Sequence, residues 1–325
     1  MTTTSPPASS PPGASILITC AAGYVGRLLT RSLVEQAPEG TRIIATDRVS
    51  PPEVPGVTSR VVDIRDPGLG AMLKAEQVTV VVHLAAILNP PKGATREFLH
   101  DVDVKGTENV LRACLEAGVT KFVYTSSGAA YGYSPSNAPL LLEEHPLRGN
   151  REFAYSWHKR LVEELLARYR TEHPELQQLI FRVSTVLGPD VHNTITDLFE
   201  RKVVVGIRGV DSPFCFIWDQ DVVQCLVAGA LTDRTGIFNL TGDGVMTLRE
   251  VAKGMHRPYV AVPEQVLRFG LSQLHQRGLS ENSEEQVLFL RYRPVLGNEK
   301  LKTDFGFTPR KSSREVFDLY RRSRG

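Results

Sequence analysis

The amino-acid sequence predicts a doubly wound α/β protein, a parallel sheet covered by helices on both faces and followed by a smaller, partly discontinuous C-terminal lobe. Three observations predict it. Apolar runs near 15–19, 42–46, 59–62, 78–84, 121–126 and 177–183 alternate with segments of helical spacing such as 107–117 and 156–170. Such alternation implies parallel strands joined by crossover helices. The first run passes through a glycine turn straight into a helix-like segment, and beyond Gly188 prolines 189, 213, 258 and 263 break the chain into short elements.

Taken in order, residues 1–14 read as a disordered lead-in, because Pro and Ser dominate them. They carry neither the basic region nor the apolar stretch of a secretory signal. Ser15-Ile16-Leu17-Ile18-Thr19 then reads as a buried strand, followed by Cys20-Ala21-Ala22-Gly23-Tyr24-Val25-Gly26 and a helix beginning near Arg27. Strand, glycine turn and helix together make the context in which a dinucleotide pyrophosphate is held. Glycines let the backbone come close, and the helix N-terminus offers free N–H groups. The second strand ends at Asp47, 21 positions after Gly26. A carboxylate there accepts from ribose hydroxyls and repels a 2′-phosphate, so NAD is expected rather than NADP. Arg48 beside it works against that preference.

A second constellation lies further on. Tyr155 and Lys159 are four residues apart, and Leu161, Val162, Leu165, Leu166 and Tyr169 continue with helical spacing, so both side chains share one helix face. An ammonium next to a phenol stabilises the phenolate, and Ser127 can hydrogen-bond the same substrate oxygen. This is machinery for moving a proton at an alcohol while a hydride moves at its carbon.

Composition narrows the class. The 42% apolar and 23% charged shares are those of a globular protein, and a net charge of +2 gives no reason to expect nucleic acid or an anionic membrane. No apolar run reaches the ~20 residues that span a bilayer. Cys20, Cys114, Cys215 and Cys225 show no metal spacing and no CxxC pair, so reduced thiols in a cytoplasmic protein without a metal are expected. His83 and His158 read as ordinary hydrogen-bonded histidines.

These motifs resemble the extended short-chain dehydrogenase/reductase family, the branch with sugar-nucleotide epimerases and dehydratases, over about residues 16–317. Thr19 through Gly26 is similar to its TGxxGxxG loop, and Thr125-Ser126-Ser127-Gly128-Ala129-Ala130-Tyr131-Gly132 to its SSxxxYG element. Phe153-Ala154-Tyr155 through Lys159 resembles its catalytic helix, and Phe216-Ile217-Trp218-Asp219-Gln220-Asp221-Val222 its FVHVDDV segment. The resemblance implies that Ser127, Tyr155 and Lys159 are catalytic, with Lys159 also holding nicotinamide ribose hydroxyls. Gly23, Tyr24, Val25, Gly26, Asp47, Arg48, Asp63, Ile64, Leu84, Ala85, Ala86, Tyr155 and Lys159 would bind the cofactor. It further implies a Rossmann-type NAD domain over 15–187, rejoined by 214–242, with 188–213 and 243–325 as the substrate lobe. A small-molecule substrate and a homodimer are expected.

Departures from the pattern refine this. Cys20 stands where the family has its first glycine, and Asp103 where it has an asparagine. Phe214 replaces an arginine that clamps a diphosphate in the 4-epimerases, and Thr185 replaces an asparagine. Both losses argue against a UDP-sugar held in the usual way, and favour a less charged molecule in a pocket near Phe214, Phe216 and Trp218. Arg208, Arg291 and Arg293 are the candidates for a substitute clamp. The expected activity is NAD-dependent hydride transfer at a secondary alcohol or ketone. A sugar-nucleotide epimerase or dehydratase is the alternative, and a catalytically silent NAD-binding regulator is an alternative of another class.

Overall fold

The computed structural model describes residues 13–276 and 286–324. Most of the lead-in, and part of the helical pattern after Tyr259, lie outside the described residues. The expected architecture forms. Strands β1 (Ser15–Thr19), β2 (Arg42–Asp47), β3 (Val57–Val61), β4 (Val80–His83), β5 (Lys121–Ser127) and β6 (Gln177–Val183) join the late strand Gly236–Leu240 in a seven-stranded sheet. Its order is Gly236–Leu240, β6, β5, β4, β1, β2, β3. β1 pairs in parallel with β2 on one side and β4 on the other.

The central strands are continuous apolar runs because both faces are covered. All five residues of β1 and all four of β4 are buried. β3 is one of the two edge strands, and its residues are half-buried or exposed. The helix Tyr24–Gln36 buries Gly26, Leu29, Thr30 and Leu33, the i, i+3, i+4, i+7 stripe of one face.

Two compact units divide the chain. One comprises Met1–Ser126, Leu161–Arg182 and Asp219–Phe238; the other comprises Ser127–Arg160, Val183–Trp218 and Asn239–Gly325. Each has its own core. In the first, Leu17, Val81, Phe122 and Ile180 of the sheet pack with Val110, Leu111, Val162 and Leu166 of the covering helices. In the second, Phe199, Phe214, Phe216 and Phe317 form an aromatic centre with Leu248 and Val251.

Within the first unit a buried ion pair fixes residues 161–172, the later part of the helix Ala154–Glu172. Arg182 of β6 donates from Nη2 to Glu163 Oε2 at 2.7 Å and from Nε to Oε1 at 3.0 Å. Ser126 of β5 donates its hydroxyl to the same carboxylate. The two charged side chains are only 5% and 3% exposed. Such a pair holds geometry more than it adds net stability, but stripping one partner leaves a bare buried charge. Replacing Glu163 by alanine is expected to lower unfolding free energy by about 3–5 kcal/mol, read by urea denaturation. A loss within the ordinary surface range would show that Arg182 finds another partner.

Candidate functional site

In the first unit the glycine loop is shaped by backbone contacts. Cys20 adopts a left-handed conformation, φ 56°, so the position demands what a glycine supplies freely. An L-residue there costs roughly 1–2 kcal/mol. Its thiol is tolerated because Gly23 has no side chain; a Cβ at Gly23 would stand 3.0 Å from Cys20 Sγ. Gly26 is still more constrained, since a Cβ there would meet the Cys20 carbonyl at 2.2 Å. The helix that follows begins at Tyr24 with no side-chain cap and no acidic residue in its first turn. Its N–H groups and positive dipole end therefore suit an anion.

Asp47 accepts from Ala22 N at 3.1 Å, so the end of β2 braces the loop from beneath. Arg48 is exposed. Tyr24 donates its hydroxyl to Asp219. Asp63 is engaged by Arg65, at 2.9 Å from Nε and 2.6 Å from Nη2, and that guanidinium holds the carboxyl below its usual range. The carbonyl of Ile64 accepts from Asn109 at 2.8 Å.

The segment Leu84-Ala85-Ala86 is set by a polar chain that the sequence did not announce. Leu84 N and Ala85 N donate to Thr19 Oγ1 at 3.1 and 3.3 Å. His83 lies between Thr19 Oγ1, 2.9 Å from Nδ1, and Thr107 Oγ1, 3.0 Å from Nε2. The Thr107 hydroxyl donates to Asp103 O at 2.6 Å. With the Thr107 hydroxyl committed to Asp103 O, Thr107 Oγ1 is left as an acceptor toward His83 Nε2. The Asp103 carboxylate accepts from Ile87 N at 2.9 Å, a role an asparagine oxygen also fills.

In the second unit Ser127 ends β5 and caps the short turn Gly128–Tyr131, its Oγ accepting from Ala129 N at 3.1 Å. Tyr155 is half-buried in the first turn of the helix Ala154–Glu172, and Lys159 is 4% exposed. Lys159 Nζ lies 5.7 Å from the Tyr155 ring centroid. Ser156 ties these groups together. Its Oγ donates to Ala129 O at 2.7 Å and accepts from Asn150 N at 3.1 Å. Asn150 Oδ1 in turn accepts from Tyr133 N at 2.6 Å. The turn after Ser127 and the turn bearing Tyr155 are thus laced by one buried hydroxyl. Ser156 lies inside the tyrosine motif, so its spacing was the available signal.

The expected pocket at Phe214, Phe216 and Trp218 is not what these rings form. Phe214 and Phe216 are wholly buried and stack on each other, centroids 6.0 Å apart, inside the core of this unit. Trp218 is half-buried beneath Arg310 and Lys311, 4.6 and 4.7 Å from its centroid. Hydrophobic packing claims the rings that the loss of an arginine had suggested were free. Of the three candidate arginines, Arg208 is exposed, Arg291 is paired with Glu264, and Arg293 is packed against Phe214. Among the described residues no cluster of His, Cys, Asp or Glu could hold a metal, and no helix is long and apolar enough to cross a membrane.

Comparison with known proteins agrees with this fold. A family model described as the NAD dependent epimerase/dehydratase family matches residues 16–228. An uncharacterized protein of Mycobacterium tuberculosis, Rv0501, is 27% identical over 321 residues, 95% of this chain and 84% of the relative. Among solved structures, MoeE5 in complex with UDP-glucuronic acid and NAD superposes with a TM-score of 0.75 at 22% identity, covering 96% of this chain and 99% of that one. The UDP-glucose 4-epimerase of Thermus thermophilus, complexed with NAD, gives 0.72 at 23% identity, with coverage of 96% and 99%. At such identities the likeness is one of fold.

Replacing Cys20 by glycine removes the left-handed penalty but loosens the unfolded chain, so stability is expected to rise by at most about 1 kcal/mol. NAD affinity, measured by calorimetry, should rise or stay level. A large loss of affinity would reveal a contact made by the thiol.

Proposed function

Because the chain belongs to the NAD dependent epimerase/dehydratase family, we propose that it is an NAD-dependent oxidoreductase acting at a secondary alcohol or ketone. The observation that carries this reading is the Ser156 lacing, which sets Ser127 and the Tyr155–Lys159 turn in one rigid frame. A positioned acid/base needs such a frame, because proton transfer falls away with small misplacements.

Tyr155 acts as the acid/base at the substrate oxygen. Lys159, sheltered from water, supplies the positive charge that makes the phenolate accessible. Ser127 Oγ, already accepting from Ala129 N, keeps its hydroxyl proton available to donate to the same substrate oxygen. NAD fits the residues present: Gly26 leaves room where any side chain would strike backbone, and the uncapped helix start awaits an anion. When bound, it supplies the hydride acceptor or donor at the carbon. Asp47 at the end of β2 is the group that accepts from ribose hydroxyls and disfavours a 2′-phosphate. Four unbridged cysteines suit a reducing, cytoplasmic setting.

The same three side chains also serve an epimerase or dehydratase, in which oxidation and reduction occur at one site without net change in cofactor. MoeE5 in complex with UDP-glucuronic acid and the UDP-glucose 4-epimerase of Thermus thermophilus, both similar in fold, favour keeping that outcome as the second reading. Net absorbance change at 340 nm with candidate alcohols separates the two.

Tyr155→Phe is expected to keep the fold and NAD binding while lowering turnover roughly 10²–10⁴-fold. Wild-type turnover by this variant on an established substrate would remove Tyr155 from the chemistry.

A further inference from the structure

Two departures from the family pattern meet in the first unit. Cys20 stands where the glycine loop has its first glycine, and it holds a left-handed backbone, φ 56°. Asp219 stands at the fourth place of the FVHVDDV pattern, where the family has a valine. It is only 2% exposed and opens the helix Asp219–Leu231. A carboxylate in an apolar place is costly to bury unless its surroundings compensate. Here the first turn of its own helix offsets the charge, and the Tyr24 hydroxyl donates to Oδ2. Tyr24 is the first residue of the helix Tyr24–Gln36, four positions after Cys20.

That bond closes a frame around the loop. Ala21 N donates to Thr46 O at 3.0 Å and Ala22 N to Asp47 Oδ2 at 3.1 Å, so β2 pins the middle of the loop. Gly23 N donates to Cys20 O at 3.0 Å, which joins the strained residue to the start of the helix. A left-handed residue other than glycine relaxes by rotating its peptide. Such a rotation swings the Cys20 carbonyl away from Gly23 N and releases the first helical turn. Tyr24, tied by its hydroxyl to a neighbouring helix, resists the shift. A valine side chain accepts no hydrogen bond, and would leave Tyr24 held by packing alone.

We infer that Asp219 is a positioning residue for the dinucleotide. Through the Tyr24 hydroxyl it keeps the first turn of the helix Tyr24–Gln36 in the shape that receives a pyrophosphate, and so offsets the strain at Cys20. This rests on the reading of the glycine loop as the NAD pyrophosphate site. Helix N–H groups bind an anion best when they converge before it arrives, because ordering them on binding costs affinity. The tether therefore acts on the phosphates and not on the adenosine end, for which Asp63 and Ile64 are the candidates. The two departures are also coupled. With glycine at position 20 there is no strain for the tether to hold, and Asp219 becomes dispensable.

The test titrates the full chain calorimetrically with NAD and with adenosine. Asp219→Val should weaken NAD binding about tenfold and adenosine binding less than about twofold; a merely structural role would weaken both alike. Asp219→Asn, which keeps an oxygen to accept from Tyr24, should bind NAD within about twofold of the wild type or tighter. Tyr24→Phe keeps the ring and removes the donor, so it should match Asp219→Val and replaces it if that variant does not fold. In the Cys20→Gly background, Asp219→Val should cost about threefold or less. Unchanged NAD affinity in folded Asp219→Val or Tyr24→Phe overturns the inference. So does Asp219→Asn binding as weakly as Asp219→Val, an equal loss for NAD and adenosine, or an undiminished loss in the Cys20→Gly background. Wild type that binds adenosine but not NAD removes the reading of the loop together with the inference. Wild type that binds NAD, beside variants that bind it equally well, counts against the inference alone.

Discussion

The helix Ala154–Glu172 is held by an ion pair that water cannot reach. Glu163 and Arg182 come from a helix and a strand, and Ser126 from the next strand donates to the same carboxylate. A hydrophobic contact at this place would serve stability as well, since burying two charges recovers little net energy. What the pair adds is direction: a bidentate fork allows one rotation and one height of the helix over the sheet. Tyr155, Lys159 and Glu163 recur at every fourth residue of that helix, so they lie along one helical face.

Polar lacing of the same kind recurs at the loops. Thr19, His83 and Thr107 form a hydrogen-bonded chain at the ends of β1 and β4, and Ser156 laces the two turns that carry Ser127 and Tyr155. Loops cannot bury enough apolar surface to be fixed by packing, and hydrogen bonds fix them instead. At Arg293 the pairing is left open, with two donors committed to neutral acceptors and one nitrogen unmatched.

The parts legible in the sequence are those written in neighbouring residues. β1 and β4 were readable as unbroken apolar runs because strands buried on both faces need no alternation. β3 was read near 59–62 and lies at Val57–Val61, since an edge strand carries no apolar run to mark its bounds. The left-handed demand on Cys20 was foreseeable because a turn of that kind accepts only a few residues easily. Phe214 was misread. An aromatic ring where an arginine is usual looks like a pocket wall, and only the packed core shows the ring turned inward.

By itself, then, the sequence determined the alternating architecture, the glycine loop and the Tyr155–Lys159 face, because each depends on a period or a steric limit expressed within a few residues. Tertiary structure alone decided which distant groups share a proton or a charge. Glu163 meets Arg182, and Arg293 meets Thr185, Pro213 and Phe214 from a position 79 residues beyond Phe214. No local pattern encodes such a meeting. It follows from how the chain closes on itself, and the energy of a buried charge depends on all the groups that closure brings within reach.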